Sequence, residues 1–154
     1  MKLKAFEKEI FDSYINDLEL SESVLQMIRY IQHGRITTYA HCKSVAYYSY
    51  WLCIHLHLKL DTRSVSRGAL LHDFYLYDWH EPDISHRLHG FYHPEKALKN
   101  ARKHFKLNLI EADIIAKHMW PLTITKLPKY RETFIVCMVD KLCSLAEILK
   151  IKIN

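Results

Sequence analysis

Apolar side chains recur at helical spacing along most of this chain. Leu3, Phe6, Ile10, Tyr14, Ile15 and Leu18 form one stripe over residues 3–18, and Val24, Leu25, Ile28 and Ile31 form another over 21–32. Both follow the three- and four-residue steps of an amphipathic helix. Ser21 is placed to cap the second helix. His33-Gly34 is placed to end it, since glycine fits the left-handed position beyond a helix, and His33 reads as a surface residue. Thr37 or Thr38 opens a long helix to about Leu60. Its apolar positions, among them Ala40, Val45, Tyr48, Trp51, Leu52, Leu56 and Leu58, cover much of its circumference, as in a central, buried helix. Asp61 or Thr62 caps the next helix, which turns Val65, Ala69 and Leu70 to the core.

The period then lapses. Residues 74–92 read as a loop rich in aromatics (Phe74, Tyr75, Tyr77 and Trp79 within six positions), and long loops of this kind wall functional pockets. Pro94 fits the first turn of a helix, which places His93 at its N-cap, with Ala97, Leu98, Ala101 and Phe105 following. Asn108 and Glu111 have the spacing of a capping box. They open a helix bearing Ala112, Ile115 and Met119, with His118 near its end. Residues 121–130 are irregular, and a last helix runs from Arg131 to about Lys150. The expectation is an all-α, single-domain bundle of about six helices over residues 1–154.

Composition sharpens this picture in three places. Only 3 Gly and 4 Pro in 154 residues agree with long helices and few tight turns. Cys42, Cys53, Cys137 and Cys143 show no Cys-x-x-Cys spacing and sit in apolar segments, the setting of reduced, core-forming thiols. The charged start of the chain is unlike a signal peptide, and no apolar run approaches the ~18 residues of a membrane span. A cytoplasmic protein without a membrane partner is expected. The net charge of +5 is spread among acids without a basic run. It suits an anionic small molecule better than nucleic acid, whose readers carry basic aromatic stripes.

Histidine is the outlier, at 11 residues. The run Gly68-Ala69-Leu70-Leu71-His72-Asp73-Phe74 delivers an imidazole and a carboxylate side by side from an apolar segment. Those donors suit Zn, Fe, Mn, Co and Ni. His41 precedes the pair, on or beside a buried face where a core hydrogen bond is the competing role; His89, His93 and His118 follow it. Asp140 stands among Val136, Cys137, Cys143 and Ser144. A carboxylate there is costly to bury unless it is ion-paired, hydrogen-bonded to a helix end, or bound to metal.

The order His41, His72-Asp73, His93, His118, Asp140 resembles the HD-domain superfamily of metal-dependent phosphohydrolases, over about residues 36–148. The resemblance implies a first metal held by His41, His72, Asp73 and Asp140. It implies a second held by added histidines, with Asp73 bridging both ions. His93-Pro94-Glu95-Lys96-Ala97 looks like the His-Pro-x-x-Gly/Ala helix start of that family, and His118 matches the next histidine. His89-Gly90 resembles an alternative form of the mid-chain ligand, so His89 is a ligand or a supporting donor. The implied activity is hydrolysis of a small, nucleotide-like phosphate ester by a water that one or two divalent transition metals activate, with Asp73 as the catalytic carboxylate. Lys117, Arg131 and Lys141 neighbour the motif, and His80 and His86 lie in the aromatic loop where they could reach substrate. Two departures stand out. Phe74-Tyr75 replaces the Gly-Lys that follows the pair in many HD enzymes, and the Gly-Tyr-Pro signature of cyclic-dinucleotide phosphodiesterases is absent. The same ligands would also serve a di-iron oxygenase or a nucleotide-binding sensor domain.

Overall fold

The computed structural model describes residues 1–81 and 90–151 together with the backbone of His89. His86, the side chain of His89, and the rest of 82–88 and 152–154 lie outside the described residues. The fold is an all-α bundle with one small hairpin. In order it comprises α1 (Ala5–Glu19), α2 (Glu22–Leu25), a 3-10 turn (Gln26–Arg29), β1 (Ile31–His33), β2 (Ile36–Thr37), α3 (Thr38–His55), α4 (Thr62–Leu71), α5 (His89–His104), α6 (Leu109–Lys117) and α7 (Arg131–Ile148). No helix among the described residues is long and apolar enough to cross a membrane.

The centre of the bundle is α4. It packs against α1, α3, α6 and α7, and every residue from Ser64 to Leu71 is buried. Asp61 caps it by accepting the Ser64 N–H at 3.0 Å, as its sequence predicts. Val65, Ala69, Leu70 and Leu71 join Phe11, Ile15, Val45, Ala46, Ile114 and Val136 in the core. Arg67 is buried as well. Its Nε donates to Glu111 at 3.0 Å, one terminal nitrogen donates to the Tyr14 carbonyl at 3.0 Å, and the same nitrogen pairs with Asp17. A buried guanidinium is tolerable only with this degree of pairing, and it ties α4 to α1 and α6.

Three expected boundaries differ. The helix expected over 21–32 is broken into α2 and a 3-10 turn, and the chain then extends into β1, which pairs antiparallel with β2. Leu25 and Ile28, two of its four apolar positions, are exposed. Gly34 does adopt a left-handed φ of 59°, but at the hairpin turn. The long helix ends at His55 rather than near Leu60. His57 takes φ 51°, and the N–H groups of His57 and Leu58 return to the carbonyls of Ile54 and Cys53 at 3.2 and 2.9 Å. That is a Schellman stop built without the usual glycine. Finally, α5 begins at His89, so Pro94 lies inside the helix and His93 is not an N-cap. The proline sacrifices only the bond its N–H would make to Gly90, near the helix start where few bonds are at stake. The Asn108–Glu111 capping box on α6 is present as expected.

Gly68 explains why α4 can lie so close to α6. A Cβ there would meet Ile114 Cδ1 at 2.7 Å, Cβ at 3.0 Å and Cγ2 at 3.1 Å. Helix propensity alone says that Gly68→Ala should stabilise the protein by ~1 kcal/mol. Overpacking against a β-branched neighbour costs more, typically ~1–3 kcal/mol. A net loss of up to about 2 kcal/mol is expected in urea denaturation; a gain would show that the α4–α6 contact yields freely.

Candidate metal centre

Five elements deliver the site. His41 projects from the first turns of α3, His72 and Asp73 stand at the end of α4, His93 lies on α5, His118 caps the C-terminus of α6, and Asp140 lies midway along α7. All six are buried, and the structure brings all six together.

They form two groups that share one carboxylate. Potential ligand atoms of His41, His72 and Asp73 lie within 4.8 Å of one another, and so do those of Asp73, His93 and His118. Asp140 Oδ1 joins the first group, 3.1 Å from His41 Nε2 and 3.6 Å from His72 Nε2. Asp73 divides its oxygens between the groups. Oδ2 lies 3.4 Å from His72 Nε2 and accepts from Gln32 Nε2 at 2.6 Å. Oδ1 lies 3.1 Å from His93 Nε2 and 3.4 Å from His118 Nε2.

The hydrogen bonds fix which ring nitrogens face inward. His72 Nδ1 is 2.7 Å from the Ala69 carbonyl, and His118 Nδ1 is 3.0 Å from that of Ile115. A carbonyl can only accept, so each Nδ1 carries a proton and Nε2 is the nitrogen each ring turns into the site. The arrangement on His41 is the same. Its Nδ1 donates to the Glu147 carboxylate, with the two oxygens at 3.0 and 3.1 Å, leaving Nε2 for the centre. Metal-binding histidines are oriented by outer carboxylates and carbonyls in this manner.

A cation fits this donor set. His72 Nε2 and Asp73 Oδ1 are buried without a hydrogen-bond partner among the described residues, although both face oppositely inclined groups at short range. The His93 and His118 Nε2 atoms are 2.8 Å apart, near the ~3 Å separation of two imidazole nitrogens bound to one ion at ~2.1 Å. Electrostatics points the same way. Burial pulls the His41 pKa down, but Asp140 and Glu147 outweigh it and raise it to about 10. His72, despite burial, is raised well above its ordinary value by Asp73 and Asp140. Burial drives His118 down to about 4, with the neighbouring imidazoles adding to the effect. Burial would raise Asp73 and Asp140, yet the surrounding histidines hold both well below the usual carboxylate range. The centre therefore holds buried carboxylates that demand positive charge, and lone pairs aimed at one place.

Four contributors escaped the sequence reading. Glu147 lies seven residues, or two turns, beyond Asp140 on the same helix face, and that spacing was a usable signal. Gln32 reaches Asp73 from β1, and Tyr75 OH in turn donates to Gln32 Oε1 at 2.6 Å; neither carries a local sequence mark. His33, expected at the surface, is half-buried with its ring 5.8 Å from that of His41. It lines a cavity of about 380 Å³ with Asp73, Trp79, Met119, Asp140 and Lys141. Of the expected cations, Lys141 faces this cavity, Lys117 is paired with Asp113 at 2.6 Å, and Arg131 is exposed at the start of α7. His80 is exposed and bound to Asp78. No family model, curated protein sequence or solved structure matches the chain.

Metal-free protein should take up about two divalent ions per chain, one for each ligand group, as for paired metal sites. Asp73→Ala should abolish both and His118→Ala one, read by elemental analysis; full occupancy in Asp73→Ala would eliminate the site. At pH 7 uptake should release protons, because His41 must lose one from a pKa of about 10. Apparent affinity should therefore rise with pH up to that value, measurable by calorimetry in buffers of different ionisation enthalpy. Glu147→Ala should weaken binding ~10–100-fold. Glu147→Gln should cost less, since an amide oxygen still accepts from His41 Nδ1–H.

Proposed function

We propose that this protein is a metal-dependent phosphohydrolase acting on a small, nucleotide-like phosphate ester. The observation that carries the reading is Asp73, a single carboxylate shared between two buried histidine groups. It is supported by the resemblance of the full ligand order to the HD-domain superfamily. His41, His72, Asp73 and Asp140 would hold one ion, and Asp73, His93 and His118 the other. The side chains are compatible with Fe, Mn, Zn, Co or Ni. Divalent cations bound there would supply Lewis acidity, offsetting phosphoryl charge and lowering the pKa of water toward 7.

The chain's own residues divide the remaining work. Asp73 orients the two groups about a common point, and Gln32 fixes its Oδ2 by hydrogen bonding. Glu147 and the Ala69 and Ile115 carbonyls hold the imidazoles in the tautomer that presents Nε2. Lys141 stands 3.9 Å from Asp140 at the cavity wall and can meet a phosphoryl oxygen. Its ammonium is otherwise held by the His118 and Cys137 carbonyls at 3.0 and 3.2 Å. Burial and the neighbouring His41 lower the His33 pKa, so at pH 7 His33 is neutral and offers one N–H to the substrate. The cavity volume of about 380 Å³ matches a small-molecule site. The apolar Trp79 and Met119 on its wall suit the organic portion of an ester.

Loaded with Mn or Fe, the protein should release inorganic phosphate from at least one member of a panel of nucleoside monophosphates and simple phosphomonoesters. Asp73→Ala should lower kcat on the order of 10³-fold or more. Lys141→Met should raise KM while sparing metal content. Fully loaded protein that hydrolyses none of these esters would refute the proposal, and oxygen consumption with iron would transfer the site to oxidative chemistry.

A further inference from the structure

We propose that the outer face of α7 is the contact between two copies of this chain. A helix packed on a core by one side ordinarily turns charged and polar residues to water. Here the exposed positions include Phe134, Met138, Leu142, Leu145, Ile148 and Leu149, at 39, 45, 58, 54, 61 and 57 % exposure. At 3.6 residues per turn they fall within an arc of about 120°. The opposite side of the helix is fully used, with Val136, Val139 and Cys143 in the core and Asp140 in the metal centre.

Only Arg131 and Lys141 bring charge to that exposed arc. Arg131 stands at its N-terminal edge. Lys141 lies within it, but its ammonium is turned aside to the His118 and Cys137 carbonyls. The centre of the face therefore offers no charge to select a partner of opposite sign or an anionic lipid surface. An uncharged apolar stripe is complementary to itself, the condition for a two-fold symmetric contact.

The area is sufficient. At these exposures the six side chains present roughly 600 Å² of apolar surface, at the upper limit of what a monomer leaves open. A standard interface buries ~800 Å² per partner, a little over half of it apolar, so the stripe alone supplies the apolar part. Among the described residues the stripe stays exposed, with the Trp120 ring set edge-on against Phe134 at its N-terminal end. The proposal does not rest on the phosphohydrolase reading: none of the six apolar side chains lines the cavity, and on this arc Lys141 alone borders it.

Light scattering behind size exclusion should give twice the 18.4 kDa chain mass at micromolar concentration. The double variant Leu142→Glu, Leu145→Glu places four carboxylates in a two-fold interface. It should raise the dimer dissociation constant by ~100-fold or more and elute as a monomer, with circular dichroism and metal content unchanged because both positions are exposed. Wild-type protein that stays at 18.4 kDa across the concentration range would overturn the proposal, as would a dimer that persists in the double variant. A monomer that sediments with phosphatidylcholine vesicles would overturn it in favour of a lipid surface.

Discussion

Two carboxylates removed from water set the terms for this structure. Asp73 and Asp140 are buried at the meeting point of α3, α4, α5, α6 and α7, where an uncompensated charge costs several kcal/mol. Positive charge must reach them, and protons can supply only part of it. His41 can hold a second proton between Asp140 and Glu147, as its raised pKa shows. The other group resists that solution. His93 and His118 oppose their Nε2 atoms at 2.8 Å, and two N–H groups cannot face one another at that distance. His118 is accordingly pushed toward its neutral form. A cation shared by lone pairs would satisfy both groups at once, so the donor set could hold a metal ion.

The scaffold keeps those donors converged through contacts remote from them. Arg67 fastens α4 to α1 and α6 five residues before His72. Gly68 lets α4 and α6 approach until Ile114 fills the space a side chain would take, and that approach sets the separation of His72 from His118. Asp113, one turn before His118, accepts from Thr133 Oγ1 at 2.7 Å and from the Lys129 N–H at 2.9 Å, so α6 also fixes the start of α7. His72 and His118 thus sit at the ends of helices whose positions other buried polar contacts determine. That is the rigidity a preorganised site needs.

The helices and the candidate site residues were legible because both leave periodic or local marks. The apolar stripes located α1, α3, α4, α6 and α7 within a few residues, and the Asp61 and Asn108 caps were readable from side-chain chemistry. His72 and Asp73 announce themselves as neighbours at the end of an apolar run, and Asp140 by its misfit on an apolar helix. The failures have physical causes. Strands of three and two residues are too short to show alternation, so the β1–β2 hairpin was hidden beneath a helical spacing that α2 only begins. The end of α3 carries no glycine because His57 adopts the left-handed conformation instead. Gln32 and His33 followed the hairpin into obscurity, although one steadies Asp73 and the other lines the cavity. Their roles arise from tertiary approach across 41 residues, and no local pattern records that.

The last helix shows how one element can serve a site and a surface together. Asp140 approaches His41 Nε2 while Glu147, two turns later, accepts from His41 Nδ1. Both nitrogens of one imidazole are therefore held by carboxylates from a single rigid rod. Sliding or tilting α7 relative to α3 would strain both contacts in concert. It would also move Asp140 away from His72 and loosen Lys141 from the His118 carbonyl. Core packing restrains the helix on its inner side through Val136, Val139 and Cys143. Among the described residues its apolar outer side is held less, by the Trp120 ring against Phe134. The helix that carries Asp140 and Glu147 is thus also the one whose apolar outer face stays exposed among the described residues, so a single element serves the candidate site on one side and the exposed stripe on the other.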